Sequence, residues 1–271
     1  MHRQQVWFKR WIIEGYTCRQ LAQQSSHSIS TIQRIVSFWL GHPPAFISDL
    51  SSCRYFILDG TFIEERRGLL VAMNAEDHSV VHGVVNVSEG PTDLKGFCQT
   101  LAARGAKPNS ATVDGNPHLI KALRRHWPKI IIQRCLVHIQ RQGLSWCRRF
   151  PKSVDARVLR KLFLRVNTIH SKKERDEFLQ DLYRWENYYG SRIAIKPERG
   201  RVFSDLKRAR SMLLSAVPDM YHYLDDSHIP TSTNGLEGYF GRLKQKYRQH
   251  RGLAKYHRHA YFLWYFQLSP R

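Results

Sequence analysis

Three short apolar runs follow one another from residue 55 before any helical spacing intervenes, and this order constrains the fold more than any other feature of the chain. Tyr55-Phe56-Ile57-Leu58 is the first run and Leu69-Leu70-Val71-Ala72-Met73 the second. Residues 80–87 form the third, alternating around Gly83. Their length and apolar content predict strands. The pattern then changes. Residues 93–104 read as a helix stopped by Gly105, and Ser110-Ala111-Thr112-Val113 as a fourth strand. Residues 117–126 read as a helix with Pro117 in the first turn, where proline is favoured. Residues 130–134 give a fifth strand, and a helix begins at about Val137.

A three-strand meander followed by right-handed strand–helix units is an α/β plan in which the first and fourth strands lie side by side and parallel. It is the ribonuclease H-like arrangement. Both of those runs end in the same pair, Asp59-Gly60 and Asp114-Gly115. Neighbouring strands are about 4.8 Å apart, so carboxylates at the two C-terminal ends can share a metal ion, at the end of the sheet where α/β folds place ligands. One Asp-Gly pair alone is as well a turn. Two matched pairs on strands expected to be adjacent favour a site.

A third carboxylate is expected later, on a helix. Glu237 fits: it follows the turn-rich stretch Ile229-Pro230-Thr231-Ser232-Thr233-Asn234, and Gly241, Lys244 and Arg248 recur on its face, with Arg242 and Lys246 on the same helix. A solvated surface helix would look alike. The functional alternative joins a metal-binding Glu to cations for flanking phosphates. Mg²⁺ takes oxygen ligands and keeps several waters, so Asp59, Asp114 and Glu237 suffice as metal ligands and catalytic residues for two ions acting on a phosphodiester.

Residues 1–42 read as a separate all-α module of three helices. Val6, Phe8, Trp11 and Ile12 give the first, which Gly15 stops; Thr17 can cap the second. The third runs from about Ser28, with Ile29, Ile32, Ile35, Val36 and Trp39 on one face and Ser30, Thr31, Gln33 and Arg34 off it. This is the helix-turn-helix plan, whose last helix meets DNA; a bundle that only packs has the same pattern. The catalytic domain spans 50–255. Within it residues 151–225 form a helical insertion, with a capping box at Ser171 and Glu174 and a helix over 203–214. The aromatic tail 256–271 packs on the core or serves an oligomer contact. The formal net charge of +21, spread along the chain, calls for a polyanionic partner. No apolar run approaches a membrane span, and five irregularly spaced cysteines do not make a secreted disulfide framework.

The strings LDGTF at 58–62, TVDG at 112–115, RCLVHIQR at 134–141 and STNGLEGYFGRLK at 232–244 together resemble the Mutator-like DDE transposases of bacterial insertion sequences. The resemblance covers about residues 55 to 255. It implies that Asp59, Asp114 and Glu237 are the catalytic triad, holding two Mg²⁺ or Mn²⁺ ions, and that the enzyme cuts double-stranded DNA at terminal inverted repeats and joins the ends to target DNA. It also implies a homo-oligomer on DNA, in a bacterial cytoplasm at the nucleoid. Cys135 and His138 match the Cys-x-x-His signature of that group. His138 is expected at the DNA or beside the metal ligands; half of a zinc site, with His126 and Cys147 nearby, and plain packing are the alternatives. Relatives often carry a zinc ribbon before the helix-turn-helix, and no Cys-x-x-Cys pair stands there in this chain, which reads as a short form or one lacking its start. Two other functions stay open on the same residues: a DNA-binding regulator that no longer cuts, and a structure-selective nuclease.

Overall fold

The computed structural model describes residues 2–64, 67–88, 90–195, 205–250 and 252–269. The chain opens with α1 (His2–Lys9), extended by a π-helical turn (Arg10–Glu14) that Gly15 ends at φ 80°. Two more helices follow, α2 (Cys18–Ser25) and α3 (Ile29–Gly41). Thr17 and Gln20 form a capping box on α2, and Ser28 caps α3. Between these two helices Ser26 adopts the left-handed conformation.

Next come β1 (Tyr55–Glu64), β2 (Arg67–Asn74), β3 (Val80–Val87), α4 (Pro91–Ala103), β4 (Ser110–Val113), α5 (Pro117–His126), β5 (Ile131–Arg134) and α6 (Leu136–Cys147). These build a mixed five-stranded sheet in the order β3-β2-β1-β4-β5. Its β1–β2 and β2–β3 pairs are antiparallel, and its β1–β4 and β4–β5 pairs are parallel. The first and fourth strands are therefore parallel neighbours, as the order of the runs predicts.

One expectation is corrected. Asp59 does not end its strand: β1 continues through Gly60 to Glu64, because β2 goes on pairing with it, Asp59 opposite Val71 and Gly60 opposite Leu70. Only β4 stops there, its last pair with β1 being Leu58 opposite Val113. Asp59-Gly60 is thus strand and not a turn.

Helices α7 (Val154–Arg165), α8 (Lys172–Trp185), α9 (Ser191–Ala194) and α10 (Leu206–Ala216) follow, and then α11 (Asn234–Gln249) and α12 (Lys255–Leu268). The capping box at Ser171 and Glu174 forms as expected. The expected start of the next helix at Phe203 lies outside the described residues.

The period-2 alternation of strands sends neighbouring side chains to opposite faces. On β1 and β2, Phe56, Leu58, Leu70 and Ala72 pack beneath α4 and α5. Ile57, Leu69, Val71 and Met73 face the other way, into a core shared by α1, α2, α3, α11 and α12. The first three helices are therefore not a free-standing bundle: Phe8 packs edge-on against Trp264 of α12, and the Trp264 indole donates to the Trp39 carbonyl at 2.7 Å. Ile29, expected on the apolar face of α3, is 43% exposed, and Val6 of α1 is 53% exposed. A third core joins α6, α7, α8 and α10. Among the described residues no helix is long and apolar enough to cross a membrane.

Candidate active site

Asp59 sits where β4 parts from β1, and it is 7% exposed. Asp114 is the first residue past β4, at the matching position on the neighbouring strand. Its chain turns away at once: Gly115 has φ +108°, a conformation that favours glycine. A Cβ there would fall on the guanidinium of Arg134, which reaches across from β5 and donates to the Asp114 carbonyl at 3.3 Å. The Asp114 carboxylate accepts from the Asn116 amide at 3.0 Å, and the Asn116 side chain caps α5.

Glu237 is far away in sequence, and buried polar groups bring it back. The Thr112 hydroxyl donates to the Pro230 carbonyl at 2.9 Å. The Gln133 amide donates to the Met220 carbonyl at 2.6 Å and accepts from the His222 amide at 3.1 Å. The Leu136 amide donates to the Thr231 carbonyl at 3.0 Å. The segment before α11 is thus hydrogen-bonded to the sheet, and α11 starts beside Asp59. Glu237 lies in its first turn, where the helix dipole favours a carboxylate.

Helix α6 supplies the other wall. His138 and Arg141 are three residues apart and so share a face. His138 Nε2 lies 3.5 Å from Glu237 Oε1, and Arg141 Nη2 lies 3.3 Å from Glu237 Oε2. The ligand atoms of Asp59, His138 and Glu237 all fall within 4.8 Å of one another, the one such group of His, Cys, Asp or Glu among the described residues. Asp114 is not in that group, although its charge is felt at Asp59. Neither Cys135, Cys147 nor His126 joins it, so no zinc set forms among the described residues. Cys135 instead receives the Thr233 amide at 3.3 Å, under a Thr233 hydroxyl that lies 3.4 Å from His138 Nδ1. Arg141 and Thr233 were not singled out from the sequence; only the folded chain brings them to Glu237 and His138.

Burial pushes the Asp59 carboxyl up to about 6, and the charge of Asp114 adds to this, while His138, the Gly60 amide and Thr233 act against it. His138 is raised to about 9, chiefly by its hydrogen bond with Cys135, with Asp59 and Glu237 adding and burial opposing. Burial pushes the Cys135 thiol up, but hydrogen bonds with His138 and Thr233 outweigh it and the net shift is down. No lysine or arginine ion-pairs with Asp59 among the described residues. Two carboxylates of this kind, one of them buried beside a further aspartate, make a donor set that suits a divalent cation.

The remaining expected residues are spread out. Ser30, Gln33 and Arg34 are exposed on α3, and Thr31 is half-buried, its hydroxyl 2.9 Å from that of Ser28. On α11, Arg242 and Arg248 are exposed. Lys244 donates to the Thr61 hydroxyl at 2.6 Å, and Lys246 to the Glu14 carbonyl at 2.8 Å, so both ammoniums serve to fasten α11.

The chain belongs to the Mutator family of transposases: the family's model matches residues 68–249. That span holds Asp114, His138, Arg141 and Glu237, while Asp59 lies before it. Compared with curated proteins, the chain matches none.

Proposed function

We propose that this Mutator-family chain is a DDE-type transposase with a ribonuclease H-like catalytic domain, and that Asp59, Asp114 and Glu237 are its catalytic carboxylates. The observation that carries the proposal is the convergence of Asp59, His138 and Glu237 within 4.8 Å at the point where β1 and β4 part. Asp114 stands at the next strand end, close enough to bear on Asp59.

Asp59 and Glu237, with Asp114, would hold Mg²⁺ or Mn²⁺, two ions in the full site, and His138 stands beside them. When bound, such ions lower the barrier to in-line attack on a phosphodiester by activating the attacking oxygen and stabilising the leaving one. The chain's own part is positional. The sheet fixes Asp59, the Arg134 guanidinium and the Asn116 amide fix the turn that carries Asp114, and Arg141 and His138 orient Glu237. Thr233, through Cys135 and His138, fixes the imidazole.

The substrate in this reading is double-stranded DNA, first at the ends of a mobile element and then at a target. The exposed face of α3, with Ser30, Gln33 and Arg34, fits a helix-turn-helix reader supported by Thr31, and Arg242 and Arg248 fit phosphate contacts. Joining two ends calls for a dimer or larger assembly, and the place of action is a bacterial nucleoid.

The test incubates the protein with labelled DNA from the flanks of its own gene, with Mg²⁺ or Mn²⁺, beside Asp114→Asn. Nicking at the element boundary by the wild type, with a loss of at least about 100-fold in the variant, is expected. DNA binding without nicking by either protein would instead leave a DNA-binding regulator, and cutting confined to branched DNA a structure-selective nuclease.

A further inference from the structure

A cleft of about 710 Å³ opens directly beside Asp114. Its walls come from α5, β5, α6 and α10, and Gly115 and Arg134 form the side nearest the candidate active site. The size falls in the roughly 300–1,000 Å³ range of sites that take small ligands.

Its lining has two characters. Trp146, Ile120 and Met212 supply an apolar surface, and none of the three is fully buried. Among the described residues no aromatic ring stacks on Trp146, whose indole N–H makes no hydrogen bond there. The cations differ in availability. Arg124 and Arg208 are already ion-paired with Asp219 and Asp205, each at 2.9 Å. Lys121 has no such partner among the described residues, and Arg134, only 9% exposed, leaves its Nε without an acceptor. A flat apolar face next to Lys121 and the unpartnered Nε of Arg134 is the chemistry of a nucleotide site: the ring takes a base, and the two basic groups take a phosphate.

We propose that this cleft holds one unstacked nucleotide of the DNA strand next to the scissile phosphate, its base against Trp146 and its phosphate between Lys121 and Arg134. The inference rests on the transposase reading and adds to it where the strand goes on leaving the carboxylates. A duplex that stays fully stacked has no base to offer such a cleft. The site therefore favours DNA with a free single-stranded stretch, as exists beside a cut end.

The test measures fluorescence anisotropy of labelled duplexes that are blunt, that carry a short single-stranded 3′ extension, or that carry the same extension built of abasic residues. For the wild type the extension is expected to tighten binding about tenfold, and the abasic one to add little. Trp146→Ala should erase the gain while blunt-duplex affinity holds, and Trp146→Phe should keep it. Lys121→Glu, at an exposed position, should reduce the gain without disturbing packing. A wild-type protein that ignores the extension, or a gain that survives both Trp146→Ala and Lys121→Glu, overturns the proposal and leaves the transposase reading standing. Failure of the wild type to bind any of the duplexes overturns that reading, and the nucleotide site with it.

Discussion

Burial acts on Asp59 and His82 in opposite senses, because it disfavours whichever form is charged. It lifts the Asp59 carboxyl to about 6 and holds the His82 imidazole down at about 4, where the Arg104 charge adds to the effect. His82 lies between Phe46 and Phe97, and neither ring nitrogen has a partner among the described residues. Its folded pKa is below the unfolded value of about 6.5, so between these two values the unfolded chain binds a proton that the folded chain does not. Stability therefore falls as pH drops through about 6.5 and levels off below about 4, with about 2 kcal/mol lost from this residue by pH 5. His82→Phe removes the unsatisfied nitrogens and the titration together. Urea unfolding at pH 7 and pH 5 should show the variant at least as stable at neutral pH and less sensitive to acid; an unchanged acid loss would count against this account. At this scale Asp59 and Glu237, which the fold brings beside His138, could be picked out in the sequence because each stands at a local signal, an apolar run or a helix start. Arg141 and Thr233 could not, since their roles arise only where α6 meets α11.

The elements take their meaning from what they pair with. β1 is ten residues long, but β4 accompanies only its first part, and that unequal partnership leaves Asp59 at an opening inside an unbroken strand. The sequence shows apolar runs and their order, and so the sheet order could be reasoned out. The continuation of β1 past Asp59 could not, because Gly60 is disfavoured in strands and is held there by its pairing with Leu70 of β2. A second contact of this kind is α12 on β3. A Cβ at Gly83 would come within 2.4 Å of the Phe266 ring, so the helix lies as close as it does only because the strand has no side chain there. Phe266 is buried there. Gly83→Val is expected to cost about 1–3 kcal/mol through overpacking. Thermal unfolding followed by circular dichroism checks this, and an undiminished melting temperature would show that α12 can shift freely.

For the molecule as a whole, the charge of +21 announced a polyanionic partner, but charge says nothing of how the parts are joined. Amphipathic spacing in the first 40 residues marked which side of each helix is buried, not against what. The answer is α11, α12 and one face of the sheet, with Lys246 of α11 bonded to the Glu14 carbonyl and His250 packed on Trp11. Helices that share a core this way unfold with it. Phe8 is fully buried among Trp11, Trp39 and Trp264. Phe8→Ala should lower stability by about 3–5 kcal/mol and shift helix and sheet signals together in one transition. A separate early melting of the N-terminal helices, with the rest unmoved, would show an independent module.

The same shared core sets an order of events in the cell. Helix α1 is made before α12 and waits for it, because Phe8 and Trp11 find their cover in Trp264 and Tyr261. At roughly 5–20 residues per second the delay is on the order of tens of seconds. Throughout it the early helices leave the ribosome without the cover that α12 gives them in the folded chain. A product cut short before α12 lacks Tyr261, Trp264 and Phe266 and cannot close that core.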